Sequence, residues 1–360
     1  MTDAQRIPRV TAKQRIASGI RAAGLYTSML AGCVPMQQPM AESVELLLIP
    51  GVIAAAAGMT PVAVTDGPGR RRVPLTPYST TASRLIRIDV SRTGRWVAER
   101  TALPADSFPF SARAGLVTFG GASRDPATLL RLLHADSGGR RRAAAALRAI
   151  TARESLRTVV LLPGAVSPRD REAMLLSLDD LASSARLARA AEIAVAVAGA
   201  DTASYPSRPL AAIADALLVD VAPAAPRASA GPPVTIEDVR QAVGLRGAEI
   251  GRGRLILLLP VHGYVWQRDS LPRAVSFDDG VRLAGEWRAP LRRDDASLSL
   301  FARAPGKGEL WLVDARLAAV LIREARRIGI RRFAVVLGAG EDIALADSLA
   351  SALQTTSRSR

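Results

Sequence analysis

The chain has 360 residues, and several residue types are nearly missing from it. There is one cysteine, there are two histidines and two lysines, and aromatic residues make up 4%. A single cysteine, Cys33, excludes an internal disulfide framework and any multi-cysteine zinc or iron–sulfur site. His134 and His262 are too few for a histidine-rich metal centre, so neither a metal nor a cofactor is expected. No apolar run approaches the ~20 residues that cross a bilayer. Acids are also scarce: 33 Asp+Glu stand against 48 Lys+Arg, a formal net charge of +15.

Hydrophobic residues are plentiful at 49%, far above the content of a disordered chain. The positive charge is nearly all arginine and accompanies abundant alanine, the composition of a GC-rich genome. A second reading is an anionic partner. The arginines are spread along the chain, and the triplets Arg70–Arg72 and Arg140–Arg142 have no interleaved aromatics. No specific nucleic-acid site is therefore evident. The chain lacks a strong signal peptide, which points to the cytoplasm. Leu30-Ala31-Gly32-Cys33 nevertheless fits a lipobox and follows basic residues, so export as a lipoprotein through Cys33 is the alternative.

From about residue 158 the chain alternates between short apolar runs and amphipathic segments. Strands are expected at 159–162, 193–197, 216–219, 255–259 and 333–337. Between them, helices are expected at 168–190, near 210–214, from Ile236, at 314–328 and at 341–353. Thr235 reads as a helix cap, with acids following it at the positive end of the helix dipole. Further strands read at 116–119, at 44–49 and at 25–30. Continuous apolar strands separated by helices imply a parallel sheet covered on both faces. About eight strands without a GxGxxG or GxxxxGK[ST] phosphate loop suit a (β/α)8 TIM-like barrel rather than a nucleotide-binding open sheet. Two segments break the rhythm and read as β-hairpin insertions, at 78–103 and 297–313. The expected organisation is a tail or leader at 1–24, the barrel at 25–353 and a tail at 354–360.

The last third carries a recognisable pattern. The run Leu255-Ile256-Leu257-Leu258-Leu259-Pro260-Val261-His262-Gly263-Tyr264-Val265-Trp266 resembles the seventh-strand motif of glycoside hydrolase family 18, the chitinase family. Ser276-Phe277-Asp278-Asp279-Gly280 resembles the helix start that follows it. Glu309-Leu310-Trp311-Leu312-Val313-Asp314-Ala315 resembles the segment after the inserted hairpin, and the stretch 329–342 resembles the eighth strand. The pattern is similar to that of the family 18 domains attached to bacterial polysaccharide deacetylases and glycosyltransferases.

The resemblance implies a strand-four motif D-x-x-D-x-D-x-E, whose Glu protonates the leaving oxygen while the preceding Asp orients the substrate's N-acetyl group, a substrate-assisted route. Anchored on Pro168-Arg169-Asp170-Arg171, this motif falls on residues 157–164. Arg157 stands at the first Asp, Leu162 at the Asp preceding the Glu and Gly164 at the catalytic Glu. Asp220-Val221-Ala222-Pro223 replaces the sixth-strand M-x-Y-D, and Val336 replaces the eighth-strand Trp. The family's catalytic residues are thus expected to be lost.

Seven residues remain as ligand-binding candidates. Tyr264, Trp266 and Trp311 offer rings for a sugar or for core packing. His262 lies at the barrel mouth, and Asp314 reads as a helix cap or a sugar contact. Glu341 and Asp342 open the last helix and are the best-placed acids for a relocated mechanism. The expected function is a catalytically inactive barrel that binds a glycan, of anionic character, or a protein partner in bacterial polysaccharide metabolism. The alternative is an active glycoside hydrolase using Glu341 or Asp342.

Overall fold

A computed structural model of the chain describes residues 45–50, 80–90, 95–100, 114–119, 131–164, 166–222, 229–267, 272–337 and 340–354. The lipobox around Cys33, the expected strand at 25–30, the Arg70–Arg72 triplet, the 1–24 tail and residues 355–360 lie outside them. Strands β1 (Glu45–Pro50), β2 (Thr80–Val90), β3 (Trp96–Arg100), β4 (Ala114–Phe119), β5 (Thr158–Leu161), β6 (Glu192–Ala198), β7 (Ala216–Asp220) and β8 (Leu255–Leu259) come first. Strands β9 (Gly263–Gln267), β10 (Arg273–Val275), β11 (Arg292–Arg293), β12 (Leu300–Ala304) and β13 (Gly308–Leu312) form a separate sheet before β14 (Arg332–Leu337). The helices are α1 (Ser137–Arg153), α2 (Arg171–Leu187), α3 (Ser207–Ile213), α4 (Ile236–Ile250), α5 (Phe277–Trp287), α6 (Ala315–Arg327) and α7 (Leu345–Gln354).

Parallel pairings run β1–β2–β4–β5–β6–β7–β8–β14 and return from β14 to β1, so eight strands close a (β/α)8 ring. Side chains alternate across it. Leu116, Val160, Leu162, Ala194, Leu218, Ile256, Leu258 and Ala334 fill the barrel centre. Their neighbours Val159, Leu161, Val195, Leu217, Leu257 and Val335 face outward into a core shared with the helices. Alanine at 194, 216 and 334 leaves room for leucine and isoleucine from adjoining strands, as a narrow barrel requires. The same parity turns Glu192 and Arg332 inward at the other end, where a guanidinium–carboxylate pair, 2.8 Å on its second contact, closes the barrel floor.

One expectation is corrected here. The 78–103 segment does form an antiparallel hairpin of β2 and β3, but it is not an insertion. β2 pairs in parallel with both β1 and β4 and is the second barrel strand. The 297–313 hairpin is present as β12 and β13, within the antiparallel sheet β10-β9-β13-β12-β11 between the seventh and eighth barrel strands. One face of that sheet packs Val265, Ala302, Leu310 and Leu312 on Ala284 of α5. The last helix begins at Leu345, later than expected, because Asp342 caps the preceding turn by accepting from the Ala344 amide at 3.0 Å.

Candidate binding site at the barrel mouth

The C-terminal ends of the barrel strands define the mouth, the end at which barrels of this type carry their sites. Strand four, β5, arrives there with Val160 and Leu162 pointing into the apolar barrel centre. Gly164 follows, exposed and at φ 70°, a backbone conformation that suits glycine and strains a side chain. Its carbonyl accepts from the Tyr205 hydroxyl, which in turn accepts from the Val166 amide at 3.1 Å. Arg157 precedes the strand and is exposed, and its carbonyl binds the Ala191 amide at 2.7 Å. No described residue of this strand bears a carboxylate at the mouth. Val336 of β14 packs against the barrel-centre cluster at the position expected for the family's Trp. Pro223 lies outside the described residues.

The inward row of β7, separated from β5 by β6, does carry an acid. Ala216 and Leu218 of β7 point into the barrel, and the alternation brings Asp220 to its mouth. The carboxylate accepts from the Ala222 amide at 2.9 Å, and burial pushes it up to about 6. His262, three residues past β8, is buried, and burial alone pulls it down to about 4, so it is neutral. Its Nε2 lies 3.4 Å from the Tyr264 hydroxyl, and the two rings meet edge to face at 5.3 Å.

From His262 the aromatic residues continue onto the inserted sheet. Tyr264 and Trp266 are 5.8 Å apart along β9. Trp311 stands opposite Tyr264 in the β9–β13 register and stacks on Phe301 of β12 at 5.0 Å. Its indole N–H donates to Glu309 at 2.6 Å, and Arg303 joins Glu309 at 2.9 Å while lying 5.3 Å over the Phe301 ring. These residues occupy the sheet face opposite α5. Tyr264 and Trp311 are buried within it, whereas Trp266 and Phe301 are only half-buried.

The remaining candidates meet at the head of α6. Asp314 accepts from the Leu317 amide at 2.9 Å as an N-cap and is held by two nitrogens of Arg293. Asp342 accepts from the Ala315 amide at 2.9 Å and the Ala344 amide at 3.0 Å. Both acids therefore serve main-chain donors that the first turn of a helix leaves unpaired. Glu341 is half-buried beside them. The structure thus unites His262, Tyr264, Trp266 and Trp311, and sets Asp314 and Asp342 apart in a helix cap. The sequence reading passed over Asp220, Phe301 and Tyr205 as site residues. For Asp220 the signal was present, an acid on the same parity as Ala216 and Leu218. No group of three or more His, Cys, Asp or Glu side chains converges as a metal site among the described residues.

Solved structures place this architecture. A chitinase from Chromobacterium violaceum matches with a TM-score of 0.67 at 17% identity, over 87% of this chain and 100% of that one. A class V chitinase from Pseudomonas fluorescens matches with a TM-score of 0.63 at 16% identity, over 87% and 100%. A chitinase-like agglutinin from Robinia pseudoacacia matches with a TM-score of 0.57 at 15% identity, over 76% and 93%. No protein-family model matches the chain, and no curated protein sequence does. The protein therefore has the fold of the chitinases, a barrel with an antiparallel sheet inserted before its last strand.

Proposed function

We propose that this chitinase-fold barrel binds a glycan at its mouth without hydrolysing it by the family's route. One observation carries the reading: the mouth end of strand four presents Leu162 and Gly164, neither of which exchanges a proton, where that route needs two acids. A binding role is supported by the half-buried rings of Trp266 and Phe301 beside the mouth, since apolar ring faces stack on sugar rings. A structural neighbour that is a chitinase-like agglutinin agrees with it. The surplus of positive charge favours an acidic glycan over chitin. A place among proteins that make or modify bacterial polysaccharide is the context this reading suggests.

Purified protein incubated with N-acetylglucosamine oligomers is expected to release no reducing ends. A glycan array is expected to show binding that Trp266→Ala or Phe301→Ala lowers at least tenfold, an effect of about 1.4 kcal/mol. Asp220 favours a second reading, a hydrolase with a relocated acid, because it is a desolvated carboxyl at the mouth. Release of reducing ends that vanishes in Asp220→Asn would establish that reading and sink the first. Glu341 and Asp342 are less suited, since both Asp342 oxygens already accept amides.

A further inference from the structure

A separate cavity of about 320 Å3 opens off the barrel axis, between the C-terminal ends of β6 and β7 and the first half of α4. Its floor includes Gly199, Val221 and Ala242, and its polar side chains are Asp201, Asp238 and Gln241. Small-molecule sites begin at about this size and combine an apolar floor with a few convergent polar groups.

The space is held by specific devices. A Cβ on Gly199 would lie 2.9 Å from both the Ala242 Cβ and the Asp220 carbonyl, so only glycine lets β6 and α4 approach as they do. Behind the cavity wall, Arg246 is fully buried and hydrogen-bonds with no carboxylate. It donates to the carbonyls of Ala198 at 2.7 Å, Gly199 at 3.2 Å and Asp201 at 2.7 Å, to the Tyr205 carbonyl, and to Ser207 Oγ at 3.0 Å. Burial of the guanidinium is costly, and the nearby charges of Glu249 and Asp201 offset part of that cost. What that cost maintains is the loop that forms the wall. On the other side, Asp238 is oriented by the α4 capping box, accepting from the Thr235 amide at 2.7 Å and hydroxyl at 2.8 Å.

The polar groups select the ligand. Both ionisable side chains lining the cavity are carboxylates, and no arginine lines it, in a chain with 48 Lys+Arg. Asp201 uses Oδ1 to accept from the Ser204 amide at 2.9 Å, while its Oδ2 has no hydrogen-bond partner among the described residues. We infer that this cavity binds a compact primary ammonium carried on a ring or short apolar body. Asp201 Oδ2 takes the ammonium, the exposed Gln241 amide takes a neutral polar group, and the floor of Val221 and Ala242 takes the apolar side. This cavity lies on the α4 side of β6 and β7, away from the inward-facing residues of the barrel centre, and its assignment does not depend on the glycan reading.

The test is calorimetric titration of the full chain with D-glucosamine and with D-glucose, which differ only in the ammonium. Glucosamine is expected to bind saturably and at least tenfold more tightly than glucose. Asp201→Asn is expected to weaken glucosamine at least tenfold with an unchanged thermal midpoint. Should Asp201→Asn disturb the loop, Ala200→Trp at an exposed lining position is the second variant, and it is expected to block binding sterically. Absence of glucosamine binding, equal binding of the two sugars, wild-type affinity in a folded Asp201→Asn or Ala200→Trp protein, or displacement of glucosamine by Ca2+ would each overturn the assignment.

Discussion

Asp220 and His262 respond to pH over the same interval with opposite effects on stability. Asp220 is raised by burial from 3.8 to about 6, so between these values the folded protein holds a proton that the unfolded chain has released. Its contribution is fully present below about pH 4 and is lost as pH rises through about 6. His262 is lowered by burial from 6.5 to about 4, so over that span the unfolded chain holds the extra proton. Its contribution is present above about pH 6.5 and is lost as pH falls toward 4. The two slopes oppose each other in the native protein. Asp220→Asn is expected to leave stability rising between pH 4 and 6.5, and His262→Gln to leave it falling, each by on the order of 2–3 kcal/mol. Urea denaturation at a series of pH values reads this directly, and a variant whose profile stays parallel to that of the wild type would contradict it. A second residue-scale effect sits at Gly263, where an added Cβ would collide with the Trp311 carbonyl and the Leu312 side chain. Gly263→Ala is expected to cost about 1–3 kcal/mol in the same measurement, because the obstruction is backbone.

At the scale of elements, the caps were legible from sequence. Thr235 forms a reciprocal capping box with Asp238, and Asp314 caps α6, because a cap is a contact between residues three apart. The second barrel strand was not legible as such. Arg87 and Asp89 interrupt the apolar run that a doubly covered parallel strand normally shows. Ile86 and Ile88 pack outward, so the alternation turns Arg87 and Asp89 toward the barrel interior. A strand that carries polar residues toward the mouth looks, in one dimension, like half of an exposed hairpin. Arg246 illustrates the converse: within α4 it reads as a solvated arginine, yet it binds four carbonyls and a hydroxyl from the loop after β6. Arg246→Met removes these donors and is expected to lower stability by at least about 2 kcal/mol, measured by denaturant titration. A surface arginine would cost a few tenths of that.

For the molecule as a whole, arginine is a structural reagent as well as a source of charge. Arg186 donates to the Ile213 carbonyl, Arg254 to the carbonyls of Asp215 and Ala211, and Arg140 to that of Ala135, each serving an end of a helix or strand. These bonds leave the charge in place, and the chain keeps its formal +15. If the glycan is acidic, its affinity is expected to fall at least tenfold as salt rises from about 0.1 M to about 1 M, where the Debye length shrinks from about 10 Å to about 3 Å. A neutral oligosaccharide is expected to change little, and equal salt responses from the two would argue against an acidic ligand.

The sequence alone determined the rhythm of strands and helices, the caps, and the acid-free run at 157–164, because each depends on residues adjacent in the chain or a turn apart. The tertiary structure decided which polar side chains share a space. It spent Asp314 and Asp342 on one helix end, and folded Arg246 behind a cavity wall. Those outcomes rest on contacts between residues tens of positions apart, whose meeting is set by the closing of the barrel and not by any local period.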